Sequence, residues 1–154
     1  MIDARDRVTG RLDRVARVRL PGMLTAAIVR SPIPAGTIRG VDTSEALASP
    51  GVVAVVSGAD LISAGLGDVL FGTIVQDQPI LAIDRVRHVG EPVAVVLATD
   101  ARTARRAAAL VVLDIEERAA VVGGEGARRA DGPLVYPELG TNRVGGIHLG
   151  DPAE

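Results

Sequence analysis

The apolar period changes twice between Gly90 and Arg118, and few folds satisfy both changes. Gly90-Glu91-Pro92 is a turn signal, and a continuous apolar run from Val93 to Ala98 follows it. Valines on both parities of that run predict a central strand over 93–97, covered on both faces. Thr99 and Asp100 come next, and their side-chain oxygens can accept from the free amides of a first helical turn. From Ala101 the spacing is helical. Ala104, Ala107, Ala108 and Val111 share one face, and Arg102, Arg105 and Arg106 the opposite one. Methyl side chains on the buried face let such a helix lie close to a sheet. Val111 to Ile115 then predicts a second strand, closed by Glu116, Glu117 and Arg118. The segment is a strand–helix–strand unit.

An earlier stretch has a similar order. After the Leu20-Pro21-Gly22 turn, Met23 to Val29 predicts a buried strand ending at Arg30-Ser31-Pro32. Thr37 to Val41 is expected to be its partner strand, beyond the Pro34-Ala35-Gly36 break. Asp42-Thr43-Ser44-Glu45 fits a capping pattern, and the short helix it starts must end by Ser49, because Pro50-Gly51 follows. Val52 to Val56 predicts a further strand. This strand–strand–helix–strand order is echoed, without residue-level repetition, across 79–116. Residues 1–19 show no clear period, although Val8-Thr9-Gly10-Arg11 has the composition of a turn. Gly58 to Gln78 is glycine-rich and weakly periodic, and it is expected to be a surface loop. Its Gly65-Leu66-Gly67 is no dinucleotide cradle, because Leu70 stands where the third glycine is required.

Composition excludes several chemistries. No cysteine is present, which removes disulfides, iron–sulfur ligation, thiolate zinc sites and cysteine nucleophiles. All 17 basic residues are arginines, so there is no Walker lysine, Schiff-base lysine or biotinyl attachment site. Phe71 and Tyr136 are the only aromatic residues, so the core must be built from Val, Leu, Ile and Ala. With a net charge of -2 and two rings, the chain offers nothing for nucleic acid to stack on. No apolar run approaches the ~20 residues of a membrane helix. The charged N-terminus does not read as a signal peptide, so a cytoplasmic location is expected.

Titratable candidates are few. His88 and His148 lie far apart with no partner at helical spacing, and each is expected to be a surface or boundary residue. Glu91 is a candidate base if buried, but a turn cap or an arginine pair is the expected role. Asp77 and Asp84 flank the Pro79–Ile83 run and are expected to serve as turn residues. No nucleophile, base and orienting group assemble from adjacent motifs, so no catalytic, cofactor-binding or metal-binding residue is assigned.

The ordered set VTGR (8–11), RLPGM (19–23), RSP (30–32), DTSEALASPGVVAVVSGADL (42–61), DQPILAIDRVRHVGEPVAVVLA (77–98) and PLVYPELGTN (133–142) resembles a known domain. It is similar to the N-terminal α/β-hammerhead domain of the molybdenum hydroxylase large subunit, as in xanthine dehydrogenase, aldehyde oxidase and carbon monoxide dehydrogenase. The resemblance implies an α+β hammerhead fold, a mixed sheet with short helices packed on it. It places the hammerhead at 1–118 and a Gly/Pro-rich extended arm at 119–154, leading towards a molybdopterin-binding domain that would follow Glu154. This chain departs from the family at Arg14 and Arg17, where Tyr and Asp are usual, and at Ile33, Pro34 and Ala35, which replace a histidine-containing run.

In that family the molybdopterin cytosine dinucleotide and the glutamate base sit on later domains, and iron–sulfur and flavin groups on other domains or subunits. The resemblance therefore implies a structural or docking domain, or a split subunit, of a molybdenum-hydroxylase-type oxidoreductase that binds no cofactor itself. The dinucleotide is expected only in an assembled complex. Expected partners are a molybdopterin-binding subunit, with iron–sulfur and flavin subunits, or further copies of the chain. The alternative is a stand-alone hammerhead scaffold or binding module without redox activity.

Overall fold

The computed structural model describes residues 4–11, 18–66, 69–72 and 76–143. Helix α1 (Ala4–Val8) is exposed. Strand β1 (Thr25–Arg30) leads to β2 (Gly36–Asp42), α2 (Ser44–Leu47) and β3 (Val52–Ser57). Helix α3 (Gly58–Ser63) precedes the short strands β4 (Leu70–Phe71), β5 (Gln78–Pro79) and β6 (Arg85–Val86). Strand β7 (Pro92–Ala98), helix α4 (Ala101–Ala108), strand β8 (Val112–Glu117) and helix α5 (Gly123–Arg128) follow, with a 3₁₀ turn at Pro137–Leu139.

The class is α+β, and the sheets are small and antiparallel. Strands order as β1-β7-β3 in one sheet and β6-β2-β8 in a second, with β4-β5 as a ribbon. All the described pairings are antiparallel, where a mixed sheet is expected. The strand–helix–strand reading of 93–115 holds for its elements, but β7 and β8 lie in different sheets. Likewise β2 is not the partner of β1. The break at 34–36 carries the chain out of the first sheet, and β2 pairs instead with β6 and β8.

The echo seen in the sequence is a property of the topology. Unit β1–β2–α2–β3 matches unit β6–β7–α4–β8, and exchanging the two units turns the order β1-β7-β3 into β6-β2-β8. The helix of each unit, α2 or α4, is preceded by an aspartate. Asp42 accepts from the Ser44 N–H (2.9 Å) and hydroxyl (2.6 Å). Asp100 accepts from the N–H groups of Arg102 (2.9 Å) and Thr103 (3.0 Å) and from the Thr103 hydroxyl (2.6 Å). These bonds favour the ionised form and hold both carboxyls below their ordinary value. Glu45 is not needed for this arrangement, since Asp42 bonds Ser44 and the N-cap residue is Thr43.

Two apolar clusters form. Val29, Ala46, Ala94, Val96 and Ala107 make the first, between the β1-β7-β3 sheet and its helices. Ala82, Val86 and Val93 make the second, with Ile33, Ile38 and Ile115 packed against them. Val41 and Leu113 touch both. The link is a register shift: Val29 pairs with Ala94 and Arg30 with Pro92, which leaves Val93 as an extra residue on β7. A bulge of this kind turns successive side chains out of strict alternation. Val93 and Ala94 are both fully buried, one in each cluster. Coverage of both faces is thus achieved at Val93, but Val95 and Leu97 are only half-buried, because the helices pack on the other face.

The expected loop after β3 holds a helix. Ser57 caps α3 by accepting from the Asp60 N–H (3.3 Å), while Asp60 accepts from the Ser57 N–H and hydroxyl, both at 2.7 Å. This reciprocal capping box is readable as Ser-x-x-Asp. Gly58 at the start of α3 is buried, and a Cβ there would overlap the Ala82 carbonyl oxygen, so β3 and the 80–83 segment approach closely only with glycine.

Two outcomes follow from this packing. Val96→Asp places an unpaired carboxylate at a fully buried site and is expected to lose ~3 kcal/mol or more in urea denaturation, with Val95→Asp losing less. The Asp60 carboxyl is held below its usual value, first by the Ser57 hydroxyl and then by the Ser57 amide. A carboxyl lowered by folding stabilises above its unfolded value of ~3.9 and loses that contribution as pH falls through the folded value. Asp60→Asn is therefore expected to melt below the parent at pH 7, and the difference to close as thermal scans are taken below pH 4.

Candidate functional site

The turn between β6 and β7 places the only described glutamate that is deeply buried. Gly90, at φ 84°, makes the sharp reversal, and its N–H donates to the Ser31 carbonyl (2.8 Å). The Ser31 N–H in turn donates to the Glu91 carbonyl (2.9 Å). This directs the Glu91 side chain inward, where it is 4% exposed. One carboxylate oxygen accepts from the backbone N–H of Arg87, and the other from the Arg87 guanidinium at 3.2 Å. Arg87 also donates to the Arg85 carbonyl (3.3 Å) and lies 3.9 Å from Asp84.

The arm closes over this pair. The Arg87 guanidinium carbon sits 5.0 Å from the centre of the Tyr136 ring, within cation–π range. The Tyr136 hydroxyl donates to the Asp77 carbonyl (3.0 Å), and burial pushes its phenol up, so it remains a donor. Glu138 accepts from Arg85 at 3.2 Å. Arg85 is further held by Asp84 (3.0 Å), whose carboxyl burial would raise but the hydrogen bond and charge of Arg85 lower on balance. Farther along, the Asn142 amide oxygen accepts from the Val135 N–H (2.8 Å), and its NH₂ donates to the carbonyls of Pro133 (2.9 Å) and Ala127 (3.2 Å). Helix α5 and the 3₁₀ turn interrupt what composition predicts as extended chain.

Two clefts result. One of about 340 Å³ is lined by Phe71, Arg87, Glu91 and Tyr136, so both aromatic rings of the chain meet there. The other, of about 750 Å³, runs between β2, β6, the end of β8 and the arm, past Thr37, Arg85, Glu116 and Arg118.

Glu91 is thus buried as a base requires, yet paired as the turn reading expects. His88 is exposed, with Nδ1 3.1 Å from the Val89 carbonyl. Asp77 serves through its backbone, and Asp84 pairs with arginine at the head of β6. Gly65 has φ 65°, a left-handed turn suited to glycine. His148, Arg14, Arg17 and Gly67 lie outside the described residues. Among the described residues no three His, Asp or Glu side chains gather where they could hold a metal. Sequence reading missed Tyr136, Glu138 and Asn142. Arg87 was legible in principle, as an arginine four residues before the glutamate.

Two small interlocked antiparallel sheets with short helices packed on them make this an α/β-hammerhead domain. Residues 9–119 match the family described as aldehyde oxidase and xanthine dehydrogenase, a/b hammerhead domain, and the chain belongs to that family. It is 31% identical over 150 residues to the nicotinate dehydrogenase large molybdopterin subunit of Eubacterium barkeri, covering 97% of this chain and 34% of that protein. The xanthine dehydrogenase molybdenum-binding subunit of Escherichia coli O157:H7 is 30% identical over 141 residues, covering 88% of this chain and 19% of its own length. Reconstituted CO dehydrogenase from Oligotropha carboxidovorans superposes with a TM-score of 0.80 at 36% identity, over 86% of this chain and 16% of that one. Aldehyde oxidoreductase from Desulfovibrio gigas gives 0.75 at 33%, over 88% and 16%. The chain therefore spans only a minor part of these relatives. No described helix is long and apolar enough to cross a membrane.

Removing one member of a buried ion pair strands the other. Glu91→Gln and Arg87→Met are each expected to lose about 3 kcal/mol in urea denaturation, and the double variant to lose less than the two together.

Proposed function

We propose that this chain is a structural and docking unit, a domain or split subunit, of a molybdenum-hydroxylase-type oxidoreductase, and that it is not catalytic by itself. The observation that carries the reading is the state of Glu91. It is the described carboxylate best placed to act as a base, and both of its oxygens are engaged by Arg87. The match to hammerhead domains supports the same view, since it falls on a small share of proteins named as large or molybdopterin subunits. In this reading the hammerhead occupies 1–118 and the arm 119–154, and no catalytic, cofactor-binding or metal-binding residue is assigned in either.

The cleft between β2, β6 and the arm does not suit a molybdopterin dinucleotide. Arg85 and Arg118 line it, but Arg85 is paired with Asp84 and Glu138, and Arg118 is bonded to Thr37 (2.6 Å) and near Glu116 (3.8 Å). An anionic ligand there would also face Glu116 and Glu117. Molybdopterin cytosine dinucleotide then belongs to a partner body of the assembled enzyme, with iron–sulfur and flavin subunits completing it in the cytoplasm.

Purified chain supplied with aldehydes, purines or other N-heterocycles and an artificial electron acceptor is expected to show no turnover. Turnover proportional to chain concentration and lost in Glu91→Gln would overturn the proposal.

A further inference from the structure

A third cleft, of about 940 Å³, opens between α5 and the chain at 140–143. Arg128, Arg129 and Arg143 line it with Thr141 and Asn142, and no carboxylate does. That composition sets it apart from the cleft beside β2, where Asp84, Glu116 and Glu117 stand among the arginines. Its charge is also left uncompensated. Arg129 is paired with Asp131, at 3.2 and 3.3 Å. The guanidinium groups of Arg128 and Arg143 have no ion-pair or hydrogen-bond partner among the described residues. One hydrogen bond brings these two arginines together. The Asn142 NH₂ donates to the Ala127 carbonyl (3.2 Å), which joins the residues directly ahead of both. Its other bonds, from the Val135 N–H and to the Pro133 carbonyl, tie the intervening arm to the same side chain. The Arg143 N–H donates to the Thr141 hydroxyl oxygen (3.0 Å), which fixes the turn and leaves that hydroxyl's own hydrogen to donate.

We propose that this cleft binds a terminal phosphoryl group, as free phosphate or as the head of a small phosphate monoester. The proposal is independent of the docking reading above. Two unpaired arginines in one cleft call for a dianion. A guanidinium fork engages phosphoryl oxygens two at a time, and the Thr141 hydroxyl can donate to the remaining one. A carboxylate offers one charge and two oxygens, which cannot satisfy both forks. The lining holds no aromatic ring, since Phe71 and Tyr136 line another cleft, so nothing here stacks on a base. Recognition therefore falls on the charged group, and the rest of an ester contributes little.

The test is isothermal titration of the full chain with inorganic phosphate, methyl phosphate and acetate. One saturable site for a phosphoryl ligand is expected, with acetate binding roughly tenfold more weakly or worse and affinity falling as salt rises. Arg128→Gln and Arg143→Gln, both at exposed positions, are expected to melt like the parent yet bind phosphate roughly tenfold more weakly, as loss of a charge-assisted hydrogen bond implies. Arg105→Gln removes an exposed arginine of α4 and is expected to bind as the parent does. Equal affinity for methyl phosphate supports the proposal and extends the site to esters, whereas binding of phosphate alone supports it for the free ion. Absence of saturable binding by the parent, acetate binding as tightly as phosphate, or equal weakening in Arg105→Gln would overturn it.

Discussion

Val93 holds the molecule together because it is the one residue of β7 that leaves the strand's alternation. Two three-stranded sheets of this size are each too small to enclose a core of their own. The bulge lets β7 supply Ala94 and Val96 to one cluster and Val93 to the other. Val41 and Leu113 complete the bridge from the second sheet. With Phe71 and Tyr136 as the only rings, volume cannot come from aromatic packing. It comes from close approach instead: alanines on α4, and glycines at 36 and 58 where a Cβ would strike Ile115 and the Ala82 carbonyl.

The buried Arg87–Glu91 pair sits immediately before that bulge, and its role follows from where it is. Pairs of this kind add little net stability over an apolar substitute, but they fix geometry, because only one arrangement leaves neither charge alone. Here the pair sets the turn into β7 and offers the guanidinium face to Tyr136. The arm is thereby registered against the turn, through a ring, a carbonyl and the Glu138 carboxylate. A carboxylate used in this way is an anchor, and a buried glutamate needs no reaction of its own to account for it.

The elements legible in the sequence were those whose signal is local. The β7–α4 unit declared itself by a change of period at Asp100, and β1, β2 and β3 by apolar runs between Pro and Gly. Their partners were not legible. Nothing local in Thr37–Val41 says whether the strand pairs with β1 or crosses to β8, since both candidates carry apolar, β-branched residues. Helix α3 was hidden by its glycine and shortness, although its Ser57-x-x-Asp60 box was there to read. At the site, Glu91 and its alternatives were visible in the Gly-Glu-Pro turn. Its burial and the approach of Tyr136 depend on contacts distant in sequence, which no spacing encodes.

The exchange symmetry of the two units has a consequence for how the chain is made. Each sheet takes its middle strand from the opposite half: β7 enters between β1 and β3, and β2 between β6 and β8. A nascent chain that has reached only the β4–β5 ribbon has β1, β2 and β3 and none of the described partners they will have. β1 and β3 must wait for β7, and β2 for β6 and then β8, whose last residue, Glu117, meets Gly36. Such delayed pairing slows folding and leaves an unpaired, aggregation-prone species during synthesis. Synthesis of residues 70–117 is therefore the interval over which the first half waits for its described partners.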